Sequence, residues 1–170
     1  MNHSDANAVI QSARSRGRAP LERWVRDRIP EATEPEVEEA VVAAEEIIDS
    51  VPLFLARAQQ AAAERGVSAV VSPILERAAR YFLSPVDLIP EMTQGMAGLL
   101  DDAYLVLRIM KNLDRGPDPL LDWELDEPIQ FLKRLVGPEV SSRLDEYSVR
   151  SMEEAEAEFR RYWKAMSAEA

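Results

Sequence analysis

Apolar residues recur at helical spacing through the middle of this chain, from Met96 through Leu99, Ala103, Val106 and Met110 to Leu113, with Leu100, Tyr104 and Leu107 forming a second line beside them. Two adjacent apolar lines predict a helix over about 97–113 that is buried on most sides. Its polar strip is narrow: Asp101, Arg108 and Asn112. Asp102 falls on the apolar line of Val106 and Ile109, where a carboxylate is out of place. Upstream, Thr33 to Glu36 has the capping-box pattern, and Val37, Val41, Ala44 and Ile48 give the single stripe of a helix from about Glu34 to Asp49. Pro52 either kinks that helix or ends it, and the alanine-rich continuation stops at Gly66. Ser72-Pro73 is a cap followed by proline, and Ile74, Leu75, Ala78, Tyr81 and Phe82 mark the next helix, which the run Val67 to Val71 can extend.

Ser84-Pro85 repeats the cap-then-proline device, and Pro90 keeps Val86 to Ile89 to about one helical turn, so this stretch is a proline-bracketed corner ahead of the central helix. Beyond Leu113 the pattern predicts a short piece around Leu120, Leu121 and Trp123, then a helix with Ile129, Phe131, Leu132 and Leu135 closed by Gly137. The longest helix follows from Pro138, with Val140, Leu144, Tyr147, Met152, Ala155, Phe159 and Tyr162 on one side. That seam either covers the chain's own core, the reading favoured here, or pairs with a copy of itself in a homodimer. No strand pattern is present, so the expected fold is all-α, a compact bundle of about six helices around the buried helix 97–113.

The run SPVDLIPE, followed by GLLDDAYLVL, resembles the YkvA-like domain of unknown function (DUF1232). The resemblance rests on Pro85, Asp87, Leu88, Ile89, Pro90, Gly98, Asp101 and Asp102, and covers about 79–113. It implies a helical, mostly bacterial family, in which some members are attached to membrane-spanning segments and no general activity is established.

Charge divides the chain. The whole carries −11, yet residues 1–30 hold six arginines against Asp5, Glu22 and Asp27, a net of +3 that leaves −14 on the remainder. An acidic body repels phosphate backbones and argues against nucleic acid as a partner. Residues 1–30 are expected to form a flexible basic arm, without apolar periodicity over 1–20 and with a short amphipathic segment at 21–29, ahead of a single helical domain over 31–170. Leu21, Trp24, Val25, Arg26, Arg28 and Ile29 make this segment a candidate for docking on a protein partner or a membrane surface, or for packing on the acidic body. No window of about 18 apolar residues spans a membrane and no apolar signal core opens the chain, so the expectation is a cytoplasmic protein, at most peripheral to the inner face of the membrane.

Catalytic chemistry has little to work with. Cysteine is absent and His3 is the single histidine, which argues against thiol and histidine-based nucleophilic catalysis. Gly95 to Gly98 lacks the lysine of a phosphate loop. What remains is Asp87, Asp101 and Asp102, which serve the turn and the helix start, converge on a hard divalent cation such as Mg²⁺, Mn²⁺ or Ca²⁺, or pair with an arginine such as Arg77, Arg80 or Arg108. No other cofactor is implied. The leading expectation is a non-enzymatic interaction or regulatory protein that binds a protein partner through Leu21 to Ile29 or an exposed face of the bundle. A peripheral membrane protein and a metal-binding module or metal-dependent enzyme are the alternatives.

Overall fold

Residues 100–113 form the helix around which the others gather. The structure, a computed structural model, describes residues 3–83, 94–114, 119–121 and 123–168, the side chains of 3–4 and 158–168 excepted. Among these, the helices are α1 (His3–Ser15), α2 (Ala19–Arg28), α3 (Glu34–Glu64), α4 (Ser68–Leu83), α5 (Leu100–Leu113), α6 (Asp126–Val136) and α7 (Pro138–Ala168), with a 3₁₀ turn at Gly95–Leu99 leading into α5. No strand occurs among the described residues, and the fold is an all-α bundle. Helix α5 touches α3, α4, α6, α7 and the 3₁₀ turn, and its residues from Leu100 to Leu107 are all buried, as two apolar lines on one helix require.

The proline corner, with Pro85, Asp87, Leu88, Ile89 and Pro90, lies outside the described residues. Pro52 does not end α3, which runs unbroken for 31 residues. Gly66 does end it: at φ +69° it places the Val67 N–H on the Ala62 carbonyl and its own N–H on that of Ala63, satisfying two terminal acceptors. Helix α4 begins at Ser68, upstream of Ser72-Pro73.

The amino-terminal segment departs from expectation. Residues 3–15 form a helix instead of a flexible arm, with Ala6, Ile10 and Ala13 buried against the 3₁₀ turn, α3 and α4. Its stripe is mostly alanine, which permits close approach but carries a weak hydrophobic signal. A β-carbon on Gly95 would lie 3.1 Å from the Ala13 carbonyl oxygen. Arg14 pairs with Asp49 of α3 at 2.6 Å.

Helix α2 is equally internal. Leu21 and Val25 are fully buried, and the Trp24 indole N–H donates to the Leu135 carbonyl at 2.9 Å, satisfying an acceptor at the end of α6. The Arg28 guanidinium lies 4.7 Å from the Trp24 ring centre and against Gly137, which closes α6 at φ +86°. Arg28 thus meets the C-terminal end of α6, where the helix dipole favours a cation.

Helix α7 lies on α5 through a buried stripe of small residues, Ser141, Ser148, Ser151 and Ala155, interrupted by Leu144. The three serine hydroxyls donate back to the carbonyls of Pro138, Asp145 and Tyr147, which lets them sit in a tight interface without losing a hydrogen bond. Tyr147, expected on the covered side, is 42% exposed. Val140, Leu144, Met152 and Ala155 of the seam pack on the chain's own core, while the side chains of Phe159 and Tyr162 lie outside the described residues.

Candidate functional site

Three helices converge beside the first turn of α5. Tyr81 from the end of α4, Asp101, Asp102 and Leu105 from α5, and Arg143, Leu144, Glu146, Tyr147 and Arg150 from α7 enclose a cleft of about 270 Å³. Asp101 and Asp102 are only 2% and 4% exposed, so the deep wall carries two carboxylates. Their place in the first turn of α5 sets them where the helix dipole favours negative charge. The mouth is different in character. Arg150 is exposed and bonded through Nε to Glu154 at 3.1 Å, and Arg143 is exposed beside it.

Tyr81 and Tyr147 meet edge to face across the cleft, ring centres 5.7 Å apart. Burial raises the Tyr81 phenol above its ordinary pKa, with Tyr147 adding to the rise and Arg77 opposing it, so the ring is neutral at physiological pH. Arg77 of α4 also pairs with Glu154 of α7, tying together the two helices that form opposite walls.

Across α7 lies a second groove, of about 500 Å³, whose walls include Arg108, Asp145, Val149 and Glu153. Glu146 and Arg150 belong to both hollows. The stretch from Glu146 to Arg150 is therefore a ridge between two clefts, and on it Tyr147 and Val149 remain 42% and 43% exposed. A partly buried lock holds the ridge in place. The Tyr104 hydroxyl donates to Asp145 Oδ1 at 2.8 Å, Arg108 Nε donates to the same oxygen at 2.7 Å, and Lys133 Nζ lies 3.5 Å from Oδ2. One carboxylate thus joins α5, α6 and α7. Burial first, then the bond to Asp145, raises the Tyr104 pKa far above the usual phenol value.

Of the family-motif residues, Gly98 is buried in the 3₁₀ turn and Asp101 and Asp102 line the cleft; Asp87 lies outside the described residues. No group of three or more His, Asp or Glu side chains suited to a metal ion occurs among the described residues. The docking candidates Leu21, Trp24, Val25 and Ile29 pack into the chain's own body, leaving Arg28, over the Trp24 ring, and Arg26, paired with Glu34 at 2.6 Å, on the surface. No helix among the described residues is long and apolar enough to cross a membrane. Arg143, Val149 and Arg150 carry no sequence signal of their own, and only the serine-rich stripe on α7 could have turned this face outward.

Comparison with curated proteins and with solved structures returns no match. Residues 78–107, from the end of α4 through most of α5, match the family described as "Protein of unknown function (DUF1232)", and the chain accordingly contains a DUF1232-family domain of unknown function.

Proposed function

We propose that this protein is a non-enzymatic interaction module that docks a protein partner on the α7 ridge and its two flanking clefts. The observation that carries this reading is the exposure of Tyr147 and Val149 between two hollows on a helix held by the Asp145 lock. Exposed aromatic and aliphatic side chains beside concave surfaces on a rigid element are where interfaces concentrate their binding energy. The described walls of the deeper cleft carry tyrosine, carboxylate, arginine and leucine, without serine, threonine, cysteine, lysine or histidine, which favours binding over catalysis. The amino-terminal segment supports a partner site less well, because its apolar residues are spent on the fold.

The absence of cysteine makes the test clean. Val149→Cys and, as a control on α3, Leu53→Cys each introduce a single thiol at a naturally exposed position. Each variant is labelled with an environment-sensitive dye and screened against a pentapeptide library. The reading expects peptides that change the signal at position 149 and leave position 53 silent. Equal responses at both positions, or none at 149 across the library, would overturn it.

A further inference from the structure

We infer that the cleft formed by Tyr81, Asp101, Asp102, Leu105, Leu144 and Tyr147 is an anchor pocket for one basic side chain, lysine or arginine, of a protein partner. This deepens the docking reading and rests on it. Size is the first argument. At about 270 Å³ the cleft falls below the range of roughly 300–1,000 Å³ typical of sites for drug-sized ligands, and it suits a single long side chain.

The order of chemistry from mouth to floor is the second. Leu105 and Leu144 offer apolar walls to a methylene stem, and the Tyr81–Tyr147 pair offers aromatic surface to a cation. Asp101 and Asp102 place negative charge on the buried side of the lining. A carboxylate has about four acceptor sites, so each aspartate can keep bonds within its own chain and still accept an ammonium or guanidinium proton.

The mouth adds selectivity. Arg143 and Arg150 stand at the outer wall and add to the affinity of a partner that flanks its basic residue with an acidic one. The charge of −14 on residues 31–170 further favours a basic segment over an acidic one.

The test is a series of ¹H–¹⁵N spectra of the full chain titrated with Nα-acetyl methylamides of arginine, lysine, norleucine and glutamate. Norleucine keeps the stem and removes the charge. The expected result is saturable movement of the Leu105, Leu144 and Tyr147 amides with the two basic probes at dissociation constants of about 1–10 mM, and none with the others. Asp101→Asn should weaken that binding. Because a buried change can unfold the chain, the half-exposed Tyr147→Ala serves as the second variant and should weaken it roughly threefold.

Norleucine matching arginine would overturn the inference in favour of a merely apolar hollow, and glutamate alone binding would relocate recognition to the arginines. Silence from all four probes would overturn it too. These failures leave the docking reading intact if peptides still reach the dye at position 149; basic probes that fill the cleft while no peptide reaches that dye would sink the docking reading instead.

Discussion

Replacing Tyr104 with phenylalanine removes one oxygen from the centre of the bundle. Tyr104 is fully buried, and its hydroxyl donates at 2.8 Å to Asp145, which also accepts from Arg108 at 2.7 Å. A hydrogen bond to a charged acceptor contributes about 1.5–3 kcal/mol. Because Asp145 keeps Arg108 and Lys133, Tyr104→Phe orphans no group and should cost about 1.5 kcal/mol, the lower end of that range. That corresponds to roughly 3–6 °C in melting temperature for a chain of this size. Asp145→Ala should cost more, since it strands a buried hydroxyl, and the double mutant should cost less than the sum of the two.

The same residue gives a pH signature. The Tyr104 pKa is raised in the folded protein, so above the ordinary phenol value near 10 the unfolded chain loses a proton that the folded chain retains. The contribution is fully present below about pH 10 and falls as pH rises, by up to about 1.4 kcal/mol per pH unit. Urea unfolding from pH 8 to 11 should show a shallower alkaline decline for Tyr104→Phe than for the wild type. A variant as stable as wild type, with an unchanged alkaline limb, would refute the lock.

Three further substitutions probe the fold. Gly137→Ala forces a side chain into a φ +86°, ψ 164° conformation and toward Arg28 Nη1, 2.9 Å from the new β-carbon; thermal denaturation should show a loss of about 1–3 kcal/mol that Arg28→Ala does not rescue, because strain and not the flexible guanidinium dominates. Leu21→Ala should cost about 2–5 kcal/mol in urea, whereas a dispensable arm would give no change. Ser148→Leu overfills the α5–α7 contact and breaks the Asn112 Nδ2 bond to Ser148 Oγ at 3.1 Å, so chemical denaturation should reveal a loss of about 1–3 kcal/mol or more.

The legibility of this chain follows from where its signals are local. The double apolar line announces α5 as the buried centre, Gly66 announces the end of α3, and Gly137 that of α6, because each depends on residues within a turn or two. Helix α1 escaped because Ala6 and Ala13 contribute to burial through small size, which a hydrophobic pattern barely registers. On α7 the contrast is sharper. The apolar residues suggested one buried face, but the serines, satisfied by their own backbone, let α7 approach α5 closely and turned Tyr147 outward. Of the site, Asp101 and Asp102 were legible as residues out of place on an apolar helix. Their company was not, since nothing local in the sequence sets Tyr81 against Tyr147.

The docking proposal places partners on the α7 ridge and not on the amino-terminal basic segment. Its most direct test is a chemical-shift map of the ¹⁵N-labelled full chain with the pentapeptide that most perturbs the dye at position 149. The account predicts changes clustered at Leu105, Leu144, Tyr147, Val149 and Arg150. A map centred instead on Arg23, Arg26 and Asp27 of α2, with the ridge unmoved, would contradict it.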